Sequence, residues 1–256
     1  MTEGGKKRKQ SGRRLCGTVL LFCVFLQMLA GPVPARAETE AAGSGNAEAS
    51  TLRIAVASDL HLDPDNTDKS QGSEVAYNME LVDALLWDAK QQGAGMLLLT
   101  GDLVNGGKAQ RHEALAEKLQ KAEQEGLPVY VLPGNHDRAP IGQTEFAAYY
   151  EDFGYAEACS RDPGSLSYCV IRDGVMLLMM DTAGYSAGAI DLPGAAARSS
   201  NDPFFSEQTL QWAEDCLQDG LEKGLLVLAA GHYNLLPEIS RQPGSGYCIE
   251  NGDRFT

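Results

Sequence analysis

The sequence predicts an α/β fold in which strands and helices alternate and polar residues collect at one edge of the sheets. Short apolar runs with the length of buried strands alternate with longer segments of helical periodicity. Four of these runs are followed directly by residue types that bind metals. Ligands of open α/β sheets bind at the carboxyl ends of the strands, so we expect the four strand ends to form one site.

The first two strand ends carry carboxylates. The apolar run 52–57 precedes Asp59 and His61, which are two residues apart and therefore face the same side of an extended chain. The run 96–99 precedes Asp102. Taken singly, either aspartate could instead be a cap at the end of a strand.

The other two strand ends carry the remaining candidate residues. The run 129–132 precedes Asn135, His136 and Asp137, and the last apolar run of the chain precedes His232. Asn135 offers a carbonyl oxygen, His136 can act as an acid or a base near neutral pH, and Asp137 is placed to orient a neighbour. Taken singly, Asn135 could be a turn residue and His232 a core histidine.

Helices are predicted between the strands. Ser73 is a candidate cap for the first, 109–125 has a buried stripe at helical spacing, and Thr144 and Ser206 are candidate caps for two more. His112 lies on the second helix, outside the four motifs, and is expected at the surface.

Two stretches in the second half of the chain are predicted to connect elements of secondary structure. Asp173 and Gly174 lie between two apolar runs, a strong signal for a β-hairpin. The stretch 187–203 is rich in small residues and is expected to be a long loop that shapes access to a site.

The N-terminus has the features of a secretory signal peptide over residues 1–37. A basic head precedes the apolar run 15–30, and a small-x-small cleavage site follows at 35–37. The run is shorter than the ~18 residues of a spanning helix, although an uncleaved anchor is the alternative. Residues 38–51 resemble a flexible linker, and 52–256 form the predicted domain.

Charge and cysteine content narrow the function classes. Without residues 1–37 the chain has 14 basic and 34 acidic residues, which argues against a nucleic-acid-binding surface. Export permits disulfides, and the four cysteines after residue 37 allow three connectivities; the predicted bond joins Cys159 and Cys169 because they are close in sequence. Cys216 is expected to be a small buried hydrophobe.

The four motifs DxH, GD, GNHD and GH, in this order, resemble the calcineurin-like metallophosphoesterases from about residue 52 to the end of the chain. The resemblance implies a four-layer α/β/β/α sandwich. It also implies hydrolysis of small phosphate esters, either phosphodiesters or phosphomonoesters, by a metal-bridging hydroxide. Two divalent ions would form the binuclear centre, and manganese, iron, zinc or cobalt suits the oxygen and imidazole ligands.

The resemblance also assigns the metal ligands. Asp59 and His61 would bind one ion, Asn135 and His232 the other, and Asp102 would bridge the two. The metals would supply the positive charge that an acidic protein needs to bind a phosphate ester.

By the same resemblance, His136 would stabilise the transition state or protonate the departing oxygen, and Asp137 would orient it. The sequence GNHD, where phosphatases of the family usually have GNHE, is closer to the phosphodiesterase-type branches. The tyrosine of the purple acid phosphatases is replaced by Asn105.

One motif of the family has no counterpart here. A GHxH motif is expected after the GH strand, but no histidine follows His232. We therefore expect a chain truncated at its C-terminus, with an unpaired edge on one sheet. The alternative function is a secreted, catalytically degenerate protein that binds metal or a phosphoryl ligand.

Overall fold

A computed structural model describes five segments of the chain: 27–28, 52–67, 74–184, 203–240 and 242–254. The predicted signal peptide and linker lie outside the described residues, apart from two residues of an edge strand. Most of the predicted loop 187–203 also lies outside them. No helix in the described segments has the length and apolar character needed to cross a membrane.

Eight strands and four α-helices make up the fold of the described segments. The strands are β1 Gln27–Met28, β2 Ile54–Ala57, β3 Met96–Thr100, β4 Val129–Leu132, β5 Ser160–Arg161, β6 Tyr168–Arg172, β7 Val175–Met180 and β8 Leu226–Gly231. The helices are α1 Asn78–Gln91, α2 Ala109–Gln124, α3 Gln143–Tyr149 and α4 Glu207–Glu222.

The strands form two sheets. A three-stranded parallel sheet has the order β2-β3-β4, and a five-stranded mixed sheet has the order β1-β8-β7-β6-β5. Every residue of β3, β4 and β7 is buried, which explains why these strands are continuous apolar runs without alternation. The hydroxyl of Tyr168 in β6 donates to the carbonyl of Val131 in β4 at 2.9 Å and joins the two sheets.

Two apolar cores define the layers. The larger core lies between the sheets and extends under α1 and α2, whose buried stripes include Val82 and Leu115. The smaller core lies between the five-stranded sheet and α4, and it contains Trp212 and Cys216. The predicted four-layer α/β/β/α sandwich is confirmed, whereas a C-terminal truncation stays a prediction.

The structure confirms the predicted hairpin and one predicted helix cap and contradicts another cap. The hydroxyl of Ser206 accepts a hydrogen bond from the backbone N–H of Thr209 at 3.0 Å, so it caps α4 as predicted. Thr144 lies inside α3, which follows Gly142 without a side-chain cap, so that prediction is wrong. Asp173 and Gly174 have φ values of 50° and 79° and form the predicted hairpin turn between β6 and β7.

The prediction that His112 lies at the surface is wrong. Its side chain is fully buried under α3, where its ring stacks on that of Tyr149 at 5.5 Å. The apolar periodicity of α2 correctly marks its buried stripe. It does not mark His112, because a polar residue can join a buried face when its hydrogen bonds are satisfied.

The outer edge of β8 also differs from expectation. Gln27 and Met28 pair antiparallel with Ala229 and Leu228, so this part of the edge is paired. An exposed strand edge presents unpaired N–H and C=O groups, and an extended segment can satisfy them. The prediction of an unpaired edge is wrong for these two positions.

Candidate metal centre

The candidate site lies where the central strands end. The residues after β2 form backbone hydrogen bonds with the residues after β3. The N–H of Asp59 donates to the carbonyl of Gly101 at 3.0 Å, and the N–H of His61 donates to the carbonyl of Asp102 at 2.9 Å. Asp59, His61 and Asp102 have φ values of 57°, 43° and 49°, in the left-handed region. This conformation costs a non-glycine residue roughly 1–2 kcal/mol and often marks a functional site.

Two glycines allow the strand ends to approach one another. A Cβ on Gly134 would overlap the backbone nitrogen and a carboxylate oxygen of Asp102. A Cβ on Gly101, which has a φ of 105°, would lie 2.7 Å from Nδ1 of His232. Both positions therefore require glycine for the present arrangement of the site.

The first cluster of candidate ligands comprises Asp59, His61 and Asp102. One ligand atom from each lies within 4.8 Å of the others. Nε2 of His61 is 3.7 Å from Oδ1 of Asp59 and 3.6 Å from Oδ2 of Asp102. These separations exceed a good hydrogen bond, but are close to the roughly 3.0–3.5 Å between two ligand atoms that each lie about 2.1 Å from a shared ion.

The second cluster is built around His232. Its Nδ1 lies 3.1 Å from the carbonyl oxygen of Thr100, which can only accept, so Nδ1 carries the hydrogen of the neutral ring. Its Nε2 is then an acceptor, and it faces Oδ1 of Asn135 at 3.3 Å and Oδ1 of Asp102 at 3.5 Å. Three acceptor atoms that face one another without a hydrogen between them suit a cation.

The donor set therefore fits two metal ions. Oδ2 of Asp102 faces the His61 imidazole, and Oδ1 of the same carboxylate faces the His232 imidazole. A carboxylate with one oxygen toward each cluster has the geometry of a bridging ligand. The backbone carbonyl that holds His232 is a common second partner of a metal-binding histidine.

Contacts within the first cluster favour the ionised form of Asp59 and the protonated form of His61. Burial alone would raise the pKa of Asp59, but contacts with His61 and Ser58 outweigh it and lower that pKa. The Asp59 carboxylate raises the pKa of His61, although burial acts in the opposite direction. The cluster thus has negative potential, which attracts a cation.

His136 is positioned at the mouth of the site. Its side chain is exposed, and its ring meets the ring of His61 edge-on at 4.9 Å. Its backbone N–H donates to Oδ1 of Asp102 at 2.8 Å. The loop that presents His136 thus also fixes the carboxylate at the centre of the site.

The prediction that Asp137 orients His136 is wrong. The Asp137 carboxylate is fully buried and accepts hydrogen bonds from the backbone N–H groups of Gly134 at 2.7 Å and Val104 at 2.9 Å. Its two oxygens are directed to the backbone because the loop turns back on itself between β4 and α3. Burial raises the pKa of Asp137 to about 6 despite these bonds. Asp137 therefore supports the loop.

Three residues of the site were not predicted from the sequence. Ser58 donates to Oδ2 of Asp59 at 2.5 Å, and the hydroxyl of Tyr233 donates to Oδ1 of Asn135 at 2.8 Å. Thr182 accepts hydrogen bonds from the backbone N–H groups of His232 and Tyr233 at 3.0 and 2.8 Å. Ser58 and Tyr233 adjoin motif residues, whereas Thr182 follows the end of β7 and belongs to none of the four motifs.

A cleft of about 750 Å³ opens over both clusters. Its floor contains the candidate ligands and His136. The wall formed by the segment after β8 carries apolar and aromatic side chains, Tyr233, Leu235, Leu236, Pro237 and Tyr247, and also the polar Asn234, Glu238 and Gln242. The cleft has room for a small ester with one charged group on the floor and one apolar substituent against this wall.

The two-sheet fold with oxygen and imidazole ligands at its strand ends defines a metal-dependent hydrolase of the phosphoesterase class. Residues 52–252 match the model of the calcineurin-like phosphoesterases, and the chain belongs to that family. The family implies a binuclear site for divalent metals, and the Asp59, His61 and Asp102 group is a candidate part of it.

A solved structure agrees with the fold. The crystal structure of a dimetal phosphatase from Danio rerio has a TM-score of 0.54 to this chain and 12% sequence identity, and the match covers 79% of this chain and 75% of that one. A comparison with curated proteins gives no match.

Proposed function

We propose that this chain is an exported metallophosphoesterase that prefers phosphodiesters. The five proposed ligands of its two divalent ions are Asp59, His61, Asp102, Asn135 and His232. The observation that carries the proposal is the placement of the Asp102 carboxylate, whose two oxygens face two different imidazoles at 3.6 and 3.5 Å. Two ions at such a site supply charge neutralisation on the phosphoryl oxygens and a nucleophile from water near neutral pH.

Neighbouring groups hold the proposed ligands in the orientation that this chemistry needs. The carbonyl of Thr100 binds Nδ1 of His232 and leaves Nε2 directed at the site. Ser58 binds the Asp59 oxygen Oδ2, which leaves Oδ1 on the side of His61. Ligands fixed by such contacts do not have to reorganise when the ester binds.

His136 is the proposed general acid. Its exposed ring at the mouth of the cleft can reach an ester on the floor, and its backbone is tied to Asp102. In the proposed reaction, the ring donates a proton to the oxygen that leaves phosphorus. Asp137 acts indirectly, because its carboxylate holds the backbone of the same loop.

Two observations support a diester as the substrate. The apolar side chains in the wall of the cleft provide a surface for a second ester substituent, which a monoester lacks. The chain has a formal net charge of −14, so a diester with a single negative charge is repelled less than a doubly charged monoester. Export is proposed from the features of residues 1–37.

The test compares p-nitrophenyl esters of phosphate as a diester and a monoester, with excess manganese and after chelation. We expect turnover that requires metal, favours the diester and is lost in Asp102→Asn. Asp83→Asn, on the exposed face of α1, is the matched control and should retain full activity. Metal binding without turnover of either ester would support the alternative of a degenerate binding protein and contradict the proposal.

A further inference from the structure

Three cysteine side chains lie in a row on the side of the five-stranded sheet that α4 covers. The sulfur of Cys159, just before β5, is 3.0 Å from the sulfur of Cys169 in β6. The sulfur of Cys169 is 3.6 Å from that of Cys216 on α4. All three are thiols in this structure, so the disulfide predicted between Cys159 and Cys169 is not formed, although its two sulfurs are in contact.

Cys169 is the middle member of the three thiols, which do not fit a metal site. In the part of the chain that the structure describes, the group of side chains that could hold a metal ion is Asp59, His61 and Asp102, and it includes none of the three cysteines. The sulfur of Cys169 contacts both other sulfurs. Cys169 is therefore the shared partner of the other two thiols.

The three thiols differ in their access to solvent. Cys159 is exposed, whereas Cys169 is 1% exposed and Cys216 is 6% exposed. A protein thiolate can attack a dissolved disulfide only where its sulfur is accessible to solvent. Oxidation from outside must therefore begin at Cys159.

We propose that Cys159, Cys169 and Cys216 form a disulfide relay that carries oxidation from the surface to the contact between sheet and helix. The oxidant is a small-molecule disulfide such as glutathione disulfide. The Cys159 sulfur attacks it, its S–S bond breaks, and one glutathione leaves with the proton of Cys159. The Cys169 sulfur then attacks Cys159, and the second glutathione leaves with the proton of Cys169.

The last step moves the bond inward. The Cys216 sulfur attacks Cys169, the bond between Cys159 and Cys169 breaks, and Cys159 leaves as a thiol with the proton of Cys216. The net reaction oxidises the thiols of Cys169 and Cys216 by two electrons and reduces one glutathione disulfide to two thiols. Cys159 is regenerated and so acts as the entry point without being consumed.

The surroundings of Cys169 affect the rate of the relay. Contact with Cys216, burial and contact with Cys159 all raise the pKa of Cys169, so the attack by Cys169 is expected to be the slow step. Lys223, just after α4, is near enough to Cys159 and Cys169 to interact with them electrostatically.

The product joins two layers of the fold. A bond between Cys169 and Cys216 links β6 to α4 across 47 positions of the sequence, compared with 10 positions for Cys159 and Cys169. The longer loop removes more conformational freedom from the unfolded chain. The oxidised protein should therefore have a higher Tm than the reduced protein and than the intermediate with the shorter loop.

The experiment follows the reduced full-length chain after addition of glutathione disulfide, with acid quenching, alkylation and peptide mapping by mass spectrometry. We expect a glutathione adduct at Cys159 first, then a bond between Cys159 and Cys169, and finally a bond between Cys169 and Cys216. Peptides that contain the N-terminal Cys16 and Cys23 are distinguished by mass.

Three variants separate the steps. Cys159→Ser should slow the formation of the inner bond by at least about tenfold, because access to the entry sulfur is lost. Cys216→Ser should stop at the bond between Cys159 and Cys169. Cys248→Ser, which replaces a buried cysteine beside Ile249, is the matched control and should behave as the wild type.

Two results would overturn the relay. One is an inner bond that forms in Cys159→Ser as fast as in the wild type. The other is a wild-type time course in which the glutathione adduct persists and neither internal bond appears. The second result requires no variant, so a variant that fails to fold does not prevent the test.

Discussion

His112 makes the stability of this protein depend on pH in a way that can be measured. Its ring connects α2 to the loop that follows β4, with Nε2 2.9 Å from the carbonyl oxygen of Asp137 and Nδ1 2.9 Å from the hydroxyl of Tyr150. Since a carbonyl only accepts, Nε2 carries the hydrogen and the Tyr150 hydroxyl donates to Nδ1. The ring is therefore neutral, and both of its nitrogens are satisfied.

Burial disfavours the charged form of this ring. It lowers the pKa of His112 from 6.5 to about 4, although the Asp137 carbonyl acts in the opposite direction. Between these two values the unfolded chain binds a proton that the folded chain does not bind, so stability decreases as the pH falls from 6.5 to 4. At roughly 1.4 kcal/mol for each pKa unit, the loss amounts to about 3 kcal/mol.

The informative variant is His112→Gln. The amide N–H₂ of glutamine can still donate to the Asp137 carbonyl, but it does not titrate between pH 4 and 7. At pH 7 the variant should be less stable by about 1–3 kcal/mol, because ring packing is lost and the buried Tyr150 hydroxyl loses its acceptor. As the pH falls, the wild type should lose about 3 kcal/mol relative to the variant, and the two stability curves should converge or cross.

The assay is urea denaturation at several pH values from 7 to 4, with a chelator present so that metal release does not contribute. The quantity of interest is the difference in unfolding free energy between wild type and His112→Gln. Asp137, whose pKa is raised to about 6, titrates in both proteins and largely cancels from the difference. Tyr150→Phe is the control: it should lower stability but keep most of the pH dependence. A difference that stays constant from pH 7 to 4 would refute the reasoning.

Three further predictions concern the metal centre. Asp102→Ala should lose more metal than any other single ligand change, and full retention by elemental analysis would contradict a bridging role. His136→Ala should keep its metals and lose about 10²–10⁴-fold in turnover, as expected for a lost general acid, whereas metal content that falls with activity would identify a ligand. Gly134→Ala should weaken metal binding in equilibrium dialysis because its Cβ overlaps Asp102, and unchanged affinity would contradict the close approach.

Much of the candidate site could be predicted because its proposed ligands follow strands. Asp59, His61, Asp102 and His232 each come shortly after an apolar run, and parallel strands that lie side by side bring their ends together. Asn135 was found by the same argument. The sequence alone thus located the centre of the site, although the assignment of each residue to an ion rested on family resemblance.

The remaining features depend on contacts that no sequence pattern records. Asp137 adjoins His136 in the chain, yet its carboxylate bonds to the backbone N–H groups of Gly134 and Val104 because the loop reverses direction. Thr182, after β7, contacts His232, after the neighbouring strand β8, from 50 positions away in the sequence. Such contacts are set by which strands become neighbours in a sheet, and hydrophobic periodicity describes residues only as buried or exposed.

The least favourable backbone conformations of the described chain are concentrated at the proposed ligands. Three of its four non-glycine residues with positive φ are Asp59, His61 and Asp102, and the fourth is the hairpin residue Asp173. At roughly 1–2 kcal/mol each, the three ligand residues cost about 3–6 kcal/mol, a large part of the stability of an ordinary domain. Such conformations persist only where other contacts determine them.

The contacts that hold this strain are local and identifiable. Backbone hydrogen bonds join the residues after β2 to those after β3, and Asp102 accepts from the backbone of the next loop. Gly101 and Gly134 leave the space in which these loops meet. The buried carboxylate of Asp137 ties the same loop to Val104. These contacts keep the predicted ligands in place before any metal binds, and this is the physical basis of a pre-organised site.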